Sequence, residues 1–256
     1  MSLPNIVVPT QVVTLPDSGE KVKIRQWQFG DEKAIAYAKE TGDGEIIKAA
    51  VADMVAKCTF GKVHPLELSI LDAEYLFIEI RKFSVGEQVA LTIRPANCQK
   101  VDAEGKAVDA KGNKLPCDGC RCKVDLNLTE IKRHPDHQDT LKVGQDQKGN
   151  DLFVTFWPPR LLDLQPNEGE GQRLDESKFI ARCIKAISTE EDSYDLTDVK
   201  EEELAAWVDG LSKESMSQVK RYFETIPRLL IKIPYECKTC GATGEHEAEG
   251  FFSFFG

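Results

Sequence analysis

The sequence predicts an α+β fold in which a helical layer is interleaved with antiparallel β-hairpins. Three observations carry this. Apolar residues recur at i, i+3, i+4 spacing in residues 29–85 and again in residues 171–228. Short runs of alternating apolar and polar residues, bounded by Pro, Gly, Asn and Asp, fill the stretches around them. The 256 residues are 41% hydrophobic and 30% charged, which suffices for a buried core and excludes wholesale disorder.

Residues 1–28 read as an N-terminal hairpin. Gln11–Leu15 and Glu20–Trp27 flank Pro16-Asp17-Ser18-Gly19, where Pro presets φ and Gly accepts φ > 0. Residues 29–85 read as helical. A first helix starts near Asp31, which can cap it, and fades at Thr41-Gly42-Asp43-Gly44. In the next, Ile46, Ile47, Ala50, Val51, Met54, Val55 and Cys58 share one face, which makes Cys58 a core thiol. A third runs from Ser69 to Lys82, with Leu71, Tyr75, Leu76 and Ile78 facing the core, and Gly86 ends it.

Residues 86–170 read as a β unit. Strands are expected at Gln88–Arg94, Lys123–Leu128, Thr140–Val143 and Leu152–Phe156, with Gln99–Leu115 as a polar, turn-rich insertion. Gln147-Lys148-Gly149-Asn150 is a turn, and Trp157-Pro158-Pro159 stops the sheet because Pro cannot donate to a ladder. Residues 171–228 return to helix. Phe179, Ile180, Cys183, Ile184 and Ile187 form one stripe, which makes Cys183 a second core thiol. Thr189–Asp195 is an acidic loop. Asp198 and Glu201 have capping-box spacing before Leu204, Trp207 and Val208. Ser212 caps a last helix carrying Met216, Val219, Tyr222, Phe223 and Ile226, which Pro227 ends. Residues 229–256 hold a strand, Leu229–Tyr235, then a cysteine knuckle and an aromatic tail. The five segments are expected to form one interwoven domain.

Composition excludes several function classes. The net charge of −10 and pI near 5.1 oppose phosphate neutralisation, so no nucleic-acid partner is expected. No apolar run reaches the roughly 18–20 residues of a membrane helix, and Met1-Ser2-Leu3-Pro4 has no signal character. A soluble cytoplasmic chain without membrane partners is the expectation. There is no Gly-rich phosphate loop, nucleophile elbow or His-Glu-x-x-His helix, so neither a catalytic residue nor a small-molecule substrate is predicted. His134-Pro135-Asp136-His137 reads as a solvated loop; a metal role there would need Asp136 or Asp139 as a third ligand.

The eight cysteines are the informative residues. Tyr235-Glu236-Cys237-Lys238-Thr239-Cys240-Gly241 is half of a zinc ribbon: two thiolates on a tight turn, with Gly241 letting the chain double back. A structural zinc needs four ligands, and the other cysteine group is Cys98, Cys117, Cys120 and Cys122. Both segments are flanked by strands. The expectation is a discontinuous zinc-ribbon-like β unit with one structural Zn on Cys117, Cys120, Cys237 and Cys240. Cys98 ends a strand and Cys122 alternates with Cys120, so Cys98 and Cys122 are the alternative N-terminal ligands. Reduced thiols without metal are the bland alternative. A thioredoxin-like role fits poorly, because no helix follows Cys240. The tail, with Phe251, Phe252, Phe254 and Phe255, should not stay in water. It either folds onto its own core or docks into a partner.

Several segments carry a family likeness: Thr14-Leu15-Pro16-Asp17-Ser18-Gly19, Leu71-Asp72-Ala73-Glu74-Tyr75-Leu76-Phe77 and Arg81-Lys82-Phe83-Ser84-Val85-Gly86-Glu87. Phe223-Glu224-Thr225-Ile226-Pro227 and the Cys237-x2-Cys240-Gly241 ending with Gly250-Phe251-Phe252 complete the set. Together they resemble the baseplate hub protein family of T-even-type, contractile-tailed bacteriophages. The resemblance implies a non-enzymatic hub subunit or assembly chaperone, expressed late. It would act in the host bacterial cytoplasm during assembly, or in the virion tail baseplate, with other baseplate hub proteins as partners. The Gln99–Leu115 insertion and the cysteines around it depart from the family. The rival reading is a cysteine-dependent metal or redox enzyme.

Overall fold

The computed structural model describes residues 6–93, 95, 120–164, 175–238 and 241–249. In chain order its elements begin with β1 (Thr10–Thr14), β2 (Lys21–Arg25), α1 (Phe29–Thr41), α2 (Gly44–Cys58) and α3 (Ile70–Val85). Next come β3 (Gln88–Ile93), β4 (Cys120–Asp125), β5 (Glu130–Lys132), β6 (Thr140–Gln145) and β7 (Asp151–Phe156). The remainder are α4 (Glu176–Cys183), β8 (Ile184–Ser188), β9 (Ser193–Tyr194), α5 (Glu201–Asp209), α6 (Lys213–Thr225), β10 (Arg228–Glu236) and β11 (Thr243–Glu249). The fold class is α+β, as the patterning predicts. No helix among the described residues is long and apolar enough to cross a membrane.

The chain divides into two units. The first comprises residues 1–63, 74–132 and 228–256; the second comprises residues 64–73 and 133–227. In the first, β1 and β2 form the predicted hairpin, with Val13 opposite Val22 and Gly19 at φ 71° in the turn. α1 begins two residues ahead of Asp31. Asp31 therefore caps from inside the first turn: its carboxylate accepts from the Gln28 N–H at 2.8 Å and pairs with Arg25 at 3.0 Å. α2 buries Val51, Met54, Val55 and Cys58 as its stripe predicts, while Ile46 at its start stays exposed. Gly86, at φ 90°, ends α3.

Besides that hairpin, three antiparallel pairings build the β part of this unit: β3 with β4, β10 with β11, and β10 with β5. The strand expected over Lys123–Leu128 stops at Asp125. There the Asp125 carboxylate accepts from the Asn127 N–H at 2.9 Å, and Leu126–Leu128 coil into a 3₁₀ turn that leaves Leu128 exposed. Local Asx chemistry outcompetes the alternation. Pro234 lies in β10 beyond the β5 overlap, which covers only Arg228–Leu230, and stands opposite Glu245 of β11.

In the second unit, β6, β7, β8 and β9 form an antiparallel sheet in that order. Val143, Val154, Ile180, Cys183, Ile187, Val219 and Tyr222 belong to its core cluster. The predicted helix through Ile187 breaks after Cys183. Residues 184–188 instead pair with β7, and the Trp157 N–H donates to the Cys183 carbonyl at 2.7 Å. An adjacent open strand offered these backbone groups a ladder, and two β-branched isoleucines favour it. The capping box at Asp198 also fails. Lys200 is the N-cap without a side-chain bond, and the Glu201 carboxylate is taken by Arg182, whose Nε and Nη2 donate at 3.1 and 2.9 Å. Ser212 does cap α6, accepting from the Ser215 N–H at 3.0 Å.

Candidate metal centre

Two strands of the first unit bring cysteines inward. Along β4, Cys120, Cys122 and Val124 are buried while Arg121 and Lys123 are exposed, so the period of two puts both thiols on the covered face. Along β10, Leu229, Ile231, Ile233 and Tyr235 are buried and Lys232, Pro234 and Glu236 exposed. Cys237 continues the inward set and is itself buried. β4 and β10 pack on each other.

The knuckle that follows is held by its own backbone. The Gly241 N–H donates to the Cys237 carbonyl and the Cys237 N–H to the Ala242 carbonyl, both at 2.8 Å. Gly241 sits at φ 71°, the left-handed turn that its place after the cysteine pair demands. Across β10 and β11 the Tyr235 ring lies over Gly244, its register partner, and leaves no room there for a side chain.

The packing of β4 on β10 brings the two cysteine segments into one unit. Burial pushes the Cys122 thiol up, and a charge on Cys237 pushes it further. The Cys122 Sγ lies 3.8 Å from the Cys120 carbonyl oxygen, within range of a weak S–H donor. Soft sulfur donors on a glycine-closed knuckle suit zinc, and a cation between them would reverse the pKa shift. Among the described residues no group of three or more His, Cys, Asp or Glu side chains is placed to hold a metal ion. Cys98, Cys117 and Cys240 lie outside the described residues, as do Phe251, Phe252, Phe254 and Phe255.

The other two cysteines are core residues, as their helical stripes predict. Cys58 and Cys183 are completely buried, and burial raises their thiols to about 11 and about 12. The loop around His137 departs from the solvated loop expected from sequence. The His137 ring stacks on Tyr222 at 5.1 Å, is hydrogen-bonded through Nδ1 to the Thr225 hydroxyl at 3.0 Å, and has Nε2 3.3 Å from Asp139. His134 stays exposed. No periodicity in that loop marks one histidine as a packing residue; only the neighbouring helix α6 does.

No curated protein and no solved structure matches the chain. A family model described as T4 bacteriophage base plate protein matches residues 8–256, which takes in both units, the cysteine strands and the knuckle. The chain therefore belongs to the T4 bacteriophage base plate protein family.

Proposed function

We propose that this protein works at the central hub of the baseplate, as a hub subunit or as an assembly chaperone, and that one structural zinc ion clamps its two cysteine segments. The observation that carries the clamp is the inward-facing Cys122 beside Cys237, on strands that belong to distant parts of the sequence. Cys237 and Cys240 supply the knuckle ligands. Cys117 and Cys120 complete the set, with Cys98 and Cys122 as alternatives; the place of Cys122 supports its inclusion. Small β-knuckles bury little apolar surface, so metal binding contributes folding energy directly.

The hub reading rests on family membership over nearly the whole chain and on the Cys-x2-Cys-Gly ending. Its partners are other hub proteins, met in the host cytoplasm during assembly. The role is non-enzymatic. Thiols built for redox or nucleophilic work are held low by nearby positive charge, whereas burial raises Cys58, Cys122 and Cys183.

Metal analysis of the purified chain beside Cys240→Ser, Cys120→Ser and Cys122→Ser tests the clamp. One zinc per wild-type chain is expected, lost in Cys240→Ser and in at least one of the other two. A metal-free wild type would end that proposal. The hub role is tested separately, by deleting the gene and imaging tails: normal baseplates in the deletion would refute it.

A further inference from the structure

The core of the second unit is open at one end. Leu152, Leu196, Leu204 and Trp207 pack against the core cluster yet are only half-buried, and together with buried Ile187 they floor a groove of about 780 Å³. Tyr194, 48% exposed on the two-residue edge strand β9, stands at its side. An apolar-floored groove with a few polar groups at its rim has the form of a binding site.

The rim has a sign. Asp146, Asp195 and Glu203 border the groove, against one cation, Lys148. Two of the carboxylates are fixed in their charged form by the turns that carry them. Asp146 accepts from the Lys148 and Asn150 N–H groups at 2.8 Å each, and Asp195 accepts from the Thr197 N–H and hydroxyl at 2.9 and 2.6 Å. These bonds lower both carboxyls below their usual range. Glu190 and Glu191 line an adjoining hollow across the same β6–β7 turn.

We propose that this groove docks a segment of a different protein that presents one or two large apolar side chains flanked by lysine or arginine. The apolar floor takes the anchor and the acidic rim takes the flanking cations, which fixes orientation and penalises acidic competitors. The aromatic tail of a second copy is the obvious rival occupant. Charge argues against it: the tail follows Glu245, Glu247 and Glu249, which would bring three carboxylates to an acidic rim. The groove lies wholly within the second unit and is independent of the hub role and the zinc clamp.

The test uses the full chain and three capped synthetic peptides, followed by amide and indole NMR signals. Two share a Leu-Phe-Leu core, flanked by lysines in one and by glutamates in the other; the third is the chain's own residues 250–256. The lysine-flanked peptide should bind at least about tenfold more tightly than the glutamate-flanked one at low salt. It should shift the Leu196, Leu204 and Trp207 signals, and its advantage should shrink as salt screens the rim. Glu203→Lys, on an exposed helical position, should erase most of that advantage while far-UV circular dichroism stays unchanged, and Glu203→Gln should erase part of it. Equal binding of the two flanked peptides, absence of binding, or shifts confined to other surfaces would overturn the proposal. Tighter binding of the 250–256 peptide would reassign the groove to a second copy.

Discussion

The Ser215 hydroxyl, on α6, donates to the Val143 carbonyl on β6 at 2.6 Å, and the bond is buried. Val143 stands where the β6–β7 register shifts, between the Lys142↔Phe153 and Gly144↔Leu152 pairs. A bulge residue loses its place in the ladder, and the helix supplies the missing partner. The Ser215 N–H meanwhile donates to the Ser212 capping oxygen, so one residue ties the helix start to the sheet. Ser215→Ala should leave that carbonyl unsatisfied and cost about 1–3 kcal/mol in urea unfolding. Ser215→Thr should recover part of the loss. An unchanged midpoint for the alanine variant would show that the bulge is satisfied some other way.

Asp163 is 2% exposed and receives three bonds from one residue: the Arg160 N–H at 2.8 Å, Nε at 3.0 Å and Nη2 at 2.8 Å. The pair closes the short turn at Leu162–Leu164, next to the Ser69↔Arg160 bridge. Asp163 is buried while the Arg160 side chain is 43% exposed, so solvent discounts the cost of breaking the fork from one side. Asp163→Ala should destabilise by about 1–2 kcal/mol, and Asp163→Asn by less because the backbone bond can persist. Thermal melts of the two variants would separate them; equal, small losses would count against the fork.

The buried thiols make stability pH-dependent on the alkaline side. Cys58 and Cys183 are raised to about 11 and about 12, from an ordinary 9.0. The unfolded chain therefore gives up these protons first as pH rises. Their contribution is fully present below pH 9 and is lost as pH climbs through the folded values. Each thiol should add a slope of about 1.4 kcal/mol per pH unit within that window. Unfolding free energies measured from pH 8 to pH 11 should fall less steeply in Cys58→Ala and Cys183→Ala than in the wild type. Native-state labelling with a thiol reagent at pH 8 should leave both residues unmodified. Rapid labelling of either would contradict the assignment.

The knuckle offers two glycines that should fail differently. A methyl group at Gly241 would meet nothing within 4 Å, so Gly241→Ala carries only the strain of φ 71°, about 1–2 kcal/mol. At Gly244 the same methyl would lie 2.8 Å from the Tyr235 hydroxyl oxygen and 3.2 Å from the ring, so Gly244→Ala must displace the tyrosine. Melting curves with and without added zinc should show Gly241→Ala losing stability in both conditions. Gly244→Ala should also lose the near-ultraviolet signal of Tyr235. Two indistinguishable variants would mean that Tyr235 does not pack there.

Much of the fold is legible in local patterns. The Pro16–Gly19 turn specifies the first hairpin, the face from Val51 to Cys58 specifies α2, and Ser212 specifies the start of α6. Each rests on contacts within a few residues. The failures share one cause. The stripe from Phe179 to Ile187 satisfies helical spacing throughout, yet β7 lies open beside residues 184–188 and takes their backbone bonds. Glu201 has capping-box spacing from Asp198 but lies within reach of Arg182, a stronger partner than a backbone N–H. His137 reads as polar loop until Tyr222 arrives to stack on it.

The candidate site divides the same way. By itself the sequence determined the Cys-x2-Cys-Gly knuckle, the two core thiols, and an acidic chain without catalytic motifs, because these follow from residue type and short spacing. Only the tertiary structure decided that Cys122 faces inward beside Cys237, and that Leu196, Leu204 and Trp207 share a groove rimmed by Asp146, Asp195 and Glu203. Cys122 and Cys237, and Asp146 and Glu203, are far apart along the chain. Hydrophobic burial is non-directional, so patterning states which residues leave water and not which ones meet. The meeting is settled by strand register, by the bulge at Val143 and by the packing of α5 on the sheet.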